Sequence, residues 1–132
     1  MKKSVLALLV LIMIGLGWSA YSSLQPPVWS GQTEDGKWTA IYREEGVKER
    51  WFGTLRWNEA GEPILTYREL KINGKHAAGD QVGDSRTERI DKDTEFVAFG
   101  GQPDNNDHLE LILKWIEGDI PFEETIILQP NK

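Results

Sequence analysis

The chain contains no cysteine. That excludes a disulfide framework, a thiol nucleophile and a thiolate-ligated zinc site. It also excludes attachment through a lipid-modified N-terminal cysteine. Basic charge is scarce: 15 Lys and Arg stand against 21 Asp and Glu, a net charge of −6 over 132 residues. Without Lys2 and Lys3, which precede an apolar segment, the remainder carries 13 positive and 21 negative residues, or −8. That balance argues against nucleic acid as a partner, because neutralising phosphates requires a basic face. There are only 2 histidines, His76 and His108, without metal-binding spacing. None of the serines that follow the leader lies in a Gly-x-Ser-x-Gly nucleophile elbow. Gly100-Gly101 has no Lys-Ser/Thr after it and so is not a phosphate loop.

Only one long apolar run is present, and it is at the start. Lys2 and Lys3 are followed by an uncharged stretch from Ser4 to Tyr21. As a helix it would rise roughly 27 Å, close to the hydrocarbon thickness of a bilayer. Paired lysines stay on the cytoplasmic side, which places the rest of the chain outside. A cleaved signal peptide is the competing reading, with the same topology. Cleavage after Ala20 would put the bulky Trp18 where a small side chain is needed. Residues 1–21 are therefore expected to be a membrane anchor or a signal peptide. Residues 22–27 are a linker stiffened by Pro26 and Pro27, and residues 28–130 form one domain.

From Val28 onward the pattern has a period of two, with turn residues between runs. Trp38, Ala40 and Tyr42 alternate with Thr39, Ile41 and Arg43. Trp51, Gly53, Leu55 and Trp57 alternate with Arg50, Thr54 and Arg56, Phe52 being an apolar exception on the polar face. Ile64 to Ile72 is a third strand, ended by Asn73-Gly74, the strongest two-residue hairpin signal. Lys75 to Gly83 is weak, Ser85 to Ile90 reads as a polar edge strand, and Glu95 to Phe99 is short and apolar. Leu109 to Ile116 and Phe122 to Leu128 flank Glu117-Gly118-Asp119 as a hairpin. The expected fold class is all-β: an antiparallel β-sandwich of immunoglobulin-like size after an N-terminal hydrophobic helix. A small β-barrel is the alternative.

The order Trp29-Ser-Gly31, Trp38, Gly53-Thr-Leu55, Leu111-x-Leu-x-Trp115 and Glu123-Glu-Thr-x-x-Leu128 resembles small extracytoplasmic proteins of Bacillus-type Gram-positive bacteria. The resemblance implies a β-rich domain outside the cytoplasm and brings no activity to carry over. The chain departs from lipoprotein members of that group because it lacks cysteine.

Four of the tryptophans, Trp38, Trp51, Trp57 and Trp115, fall on inferred inner faces and read as core. Trp29 precedes the first clear strand and is the best candidate for a ring offered to a sugar. Asp104-Asn-Asn-Asp107 and Asp91-Lys-Asp93 fail as calcium loops, because glycine and glutamate are missing where such loops need them. Asp104, Asp107 and the adjoining His108 stay as candidate ligand contacts. Arg50 and Arg56 share an outward face with Thr54 and form the seed of an anion patch if Arg68 or Arg86 joins them. No catalytic, metal or cofactor set emerges. The expectation is a non-enzymatic module in the cytoplasmic membrane with its domain outside, or secreted if the leader is cleaved. Such a module contacts the membrane through its N-terminal segment and binds an envelope protein or glycan. A carbohydrate-binding module and a small carboxylate-dependent hydrolase are the alternatives.

Overall fold

The computed structural model describes residues 27–45 and 50–131. The expected N-terminal helix lies outside these residues, and among the described residues no helix is long and apolar enough to cross a membrane. The strands are β1 (Val28–Gln32), β2 (Trp38–Glu44), β3 (Trp51–Trp57), β4 (Ile64–Ile72), β5 (Lys75–Gly79), β6 (Glu88–Arg89), β7 (Asp93–Gly100), β8 (Leu109–Glu117) and β9 (Ile120–Asn131).

Local chemistry explains the turns. Between β1 and β2 the Thr33 hydroxyl accepts from the Trp38 amide at 3.0 Å and donates to Asp35 at 3.0 Å. Gly36 supplies the positive φ of 76° that this turn requires. Asn73 and Gly74 both adopt positive φ, 55° and 81°, as an Asn-Gly hairpin turn demands.

The strands form one antiparallel path, β5-β4-β8-β9-β1-β2-β3-β7, with β6 beside β4. This corrects the expected sandwich, which needs two separate sheets. The join is β1, which pairs with β2 through Trp29↔Tyr42 and with β9 through Trp29↔Pro130. The sheet curls until its ends approach and is nearly closed into a barrel, so the smaller-barrel alternative describes it better. The polar edge strand expected over Ser85 to Ile90 shrinks to the two residues of β6. Ser85, Arg86 and Thr87 stay exposed outside any ladder, while Ile90, just past β6, turns into the core at 1% exposure.

The seam between β4 and β7 carries no backbone ladder among the described residues. Arg68 spans it instead. This arginine points inward and is only 2% exposed. One terminal nitrogen donates to the Glu95 carbonyl and to the Thr94 hydroxyl, both at 2.8 Å. The other terminal nitrogen meets the Glu88 carboxylate, which also accepts from Thr94 at 2.8 Å. A register shift between Leu65 and Tyr67 makes this possible. The extra residue turns Arg68 and Leu70 inward and Tyr67 and Glu69 outward, as a β-bulge does.

A barrel of this size is filled by side chains. Trp29, Trp38, Tyr42, Trp51 and Trp115 are all at most 1% exposed, among leucines of β3, β4 and β8. Trp38 lies 4.9 Å from Trp57 and 5.9 Å from Trp115 between ring centroids, tilted and edge-on respectively. Phe96 packs over Gly53, where any side chain on the glycine would collide with its ring. The small residue in the third position of β3 is thus a packing requirement.

Candidate functional site

Because directly opposed residues of an antiparallel pair face the same side, the register of β2, β3 and β7 defines one outward surface. Across it run three rows: Arg43 beside Phe52, Ile41 beside Thr54 and Glu95, and Thr39 beside Arg56 and Asp93. The surface holds a depression of about 400 Å³, lined by Thr39, Ile41 and Arg43 from β2 and by Thr54 and Arg56 from β3, and bounded by Asn58 and Asp93.

Arg50 lies just before β3 at the end of this surface. The centre of its guanidinium lies 4.6 Å from the Phe52 ring centroid and 4.7 Å from that of Phe99. Stacking a cation against aromatic faces is favourable and fixes the guanidinium plane. It also accounts for Phe52, the apolar residue out of pattern on the polar face. Phe99 is 79% exposed, an unusual state for a large apolar side chain. The Arg50 Nε is buried and has no hydrogen-bond partner among the described residues.

The other arginines have weak partners. Arg56 Nε donates to Asp93 at 3.0 Å, with both side chains more than half exposed. Arg43 is 3.8 Å from Glu45, also with both side chains exposed. Such pairs are worth little and exchange readily for a ligand's charge. The structure therefore brings Arg50 and Arg56 onto one face, adds Arg43, and does not add Arg68 or Arg86. Arg68 is in the seam, and Arg86 reaches toward Asp80 at 3.7 Å.

The remaining predicted positions lie elsewhere. Trp29 is 1% exposed, since β1 is paired on both sides and turns the ring into the core, so it offers no platform to a sugar. Asp104 and Asp107 brace their own loop: the Asp104 amide donates to the Asp107 carboxylate at 2.8 Å, and the Asp107 amide donates to the Asp104 carbonyl at 2.9 Å. Asn73 then ties this loop to the β4–β5 turn, donating to Asp107 at 2.9 Å and accepting from the His108 amide at 2.9 Å. His108 Nε2 sits 2.7 Å from Glu110. Among the described residues no group of three or more His, Asp or Glu side chains could hold a metal ion.

Sequence reasoning missed a cluster on the outer side of β4. The Glu69 carboxylate, in a residue 4% exposed, accepts from the Tyr67 hydroxyl at 2.5 Å and lies 2.9 Å from His76 Nδ1. Tyr67 and Glu69 are two apart on a strand and so share a face, which was legible. The approach of His76 was not, because a second register shift, between Leu70 and Lys71, sets the hairpin pairing. Burial, then the bond to Glu69, push the Tyr67 hydroxyl up to about 12. Burial alone would raise Glu69, but the hydrogen bonds from Tyr67 and His76 outweigh it and hold the carboxyl below its ordinary 4.5. The pair orients the His76 ring. Among the described residues His76 makes no other side-chain hydrogen bond.

These carboxylates give the stability a defined acid dependence. Glu88 is also held low: burial raises it, and bonds from Arg68 and Thr94 lower it further than that. Groups with lowered folded values contribute fully above 4.5, and that contribution is lost as pH falls through the lowered values. Glu124 runs the other way, its carboxyl raised first by burial and then by Asp35 nearby, so acidification toward 4.5 stabilises the fold through it. The denaturation midpoint of the full chain is expected to hold or rise slightly as pH approaches 4.5 and to fall below it. Glu69→Gln should flatten the fall, and Glu124→Gln should abolish the rise. A Glu69→Gln chain with an unchanged acid slope would contradict this assignment.

No family model, curated protein or solved structure matches the chain.

Proposed function

We propose that the chain is a non-catalytic binding module that works outside the cytoplasm and engages a protein or cell-envelope component through the outer face of β2, β3 and β7. It is held at the membrane by residues 1–21, or released when they are cleaved. The observation that carries this reading is the Arg50 guanidinium held against both the Phe52 ring and the exposed Phe99 ring. An acidic protein that concentrates three arginines and two phenylalanines on one outward face has gathered the residue types that interfaces favour. The location rests on Lys2, Lys3 and the uncharged stretch after them, and on the likeness to small extracytoplasmic proteins of Gram-positive bacteria.

The test is site-specific photo-crosslinking of the full chain produced in a Gram-positive host. A crosslinking amino acid at position 99 is expected to capture a protein or a wall polymer, whereas one at position 114, on β8, captures none. External protease should digest the domain in intact cells, or the domain should be recovered from the medium. A domain protected inside the cell, or equal capture from both positions, overturns the reading.

A further inference from the structure

We propose that the occupant of this face is an extended peptide segment carrying one or two carboxylates among apolar residues, with Arg50 receiving a carboxylate. The inference rests on the reading of this face as a binding surface. The Phe52 and Phe99 rings lie 4.6 and 4.7 Å from the centre of the Arg50 guanidinium, and its N–H groups all point out in the guanidinium plane. A planar fork with fixed orientation matches a planar carboxylate, which it can hold by two parallel bonds. Neither Phe52 nor Phe99 contributes a competing polar group.

The rest of the surface sets the class of ligand. Apolar area is interleaved with the charges: Phe99 is 79% exposed, and Ile41 lines the depression. A sugar-phosphate or phosphate polymer has little to lay on such area. The β7 flank is acidic, with Asp93 bonded to Arg56 at 3.0 Å and Glu95 opposite Thr54. A uniform polyanion would be repelled along that flank, and further by a domain that is negative overall. A ligand with spaced charges avoids both penalties. Length also fits. Arg50 and Arg56 are six positions apart in sequence, which along a strand is roughly 20 Å. An extended peptide of about six or seven residues covers that span. Thr54 supplies a hydroxyl between the charged ends, whereas the Thr39 hydroxyl, level with Arg56, accepts from Asn58 at 2.8 Å and from Gln32 at 3.2 Å. A depression lined by two paired strands suits such a segment better than a flat membrane surface.

The experiment uses the full chain in mild detergent and a random library of displayed twelve-residue peptides. Enriched peptides are synthesised and titrated by fluorescence anisotropy against the parent chain, Arg50→Gln, Phe99→Ser and, as a control on β8, Lys114→Gln. Enrichment of sequences that place Asp or Glu among apolar residues is expected. So is a loss of about tenfold or more in affinity on Arg50→Gln, a smaller loss on Phe99→Ser, and no change on Lys114→Gln. Unchanged intrinsic tryptophan fluorescence certifies that each variant is folded. Two further probes, inorganic polyphosphate and vesicles with anionic lipid, run in parallel. If either binds in an Arg50-dependent way and no peptide is enriched, the peptide occupant is wrong while the binding face stands. Enriched peptides without acids, or peptides indifferent to both Arg50 and Phe99, also overturn the proposal. If nothing binds and position 99 crosslinks nothing in cells, both readings fall together.

Discussion

Arg68→Ala is expected to remove about 3 kcal/mol of folding stability, because it strands a buried carbonyl and hydroxyl and leaves the half-exposed Glu88 without its cation. For a domain of roughly 100 residues that corresponds to a fall in melting temperature of more than about 10 °C. The reason is geometric. One guanidinium satisfies the Glu95 carbonyl, the Thr94 hydroxyl and the Glu88 carboxylate across a seam that has no ladder of its own. Deleting it leaves those acceptors facing a cavity. Lysine cannot replace it, because a single ammonium does not reach three acceptors set around a planar fork. Glu88→Gln should cost much less, since the Glu88 side chain is 44% exposed and an amide oxygen still accepts from Arg68. Denaturant titration of the full chain and both variants measures the difference. An Arg68→Ala chain within about 1 kcal/mol of the parent would mean that core packing alone closes the barrel.

The same loss bears on the binding face. Thr94 and Glu95 lie in β7, between Asp93, which holds Arg56, and Phe99, which covers Arg50. A loosened seam frees one wall of the surface while leaving β2 and β3 paired through seven register positions from Trp38↔Trp57 to Glu44↔Trp51. Arg68→Ala is therefore expected to weaken ligand binding indirectly, although Arg68 is in the interior and touches nothing on the outer face.

Strict alternation was legible wherever one face is wet. β2, β3 and the β8–β9 hairpin follow from it, while the end of β4 was legible from the Asn73-Gly74 turn. β1 was not legible, because five residues after a Pro-Pro spacer show too short a pattern, and its pairing on both sides is a tertiary fact. Missing it divided one sheet into two and left Trp29 unassigned. Bulges hid the rest. Alternation alone would place Arg68 with Thr66 and Leu70, but the shift before Tyr67 sends Thr66 outward, where its hydroxyl donates to the Lys114 carbonyl at 3.1 Å, and Arg68 inward. The arginine face was half legible: Arg50 and Arg56 alternate with core residues on β3, whereas Arg43 and Phe99 join them only through the pairing of β2 and β7 with that strand.

Truncating the central tryptophan, Trp38→Ala, should cost about 3–5 kcal/mol through lost burial and the cavity left behind. A comparison with a second tryptophan separates packing from hydrogen bonding. The Trp38 indole nitrogen has no hydrogen-bond partner among the described residues, so Trp38→Phe removes area and relieves a buried donor. The Trp115 indole donates to Glu117 at 3.0 Å. That same carboxylate oxygen takes Lys37 at 2.9 Å, and the Lys37 ammonium sits 4.5 Å above the Phe122 ring, which stacks on Trp115 at 5.5 Å. Trp115→Phe therefore removes the same area and one charge-assisted bond at the hub of a network. It should exceed Trp38→Phe in cost by about 1–2 kcal/mol. A double-mutant cycle with Glu117→Ala isolates that bond, because the excess should disappear once the acceptor is gone. Equal costs for the two phenylalanine variants, read from denaturant midpoints, would show that ring area alone sets the stability of this core.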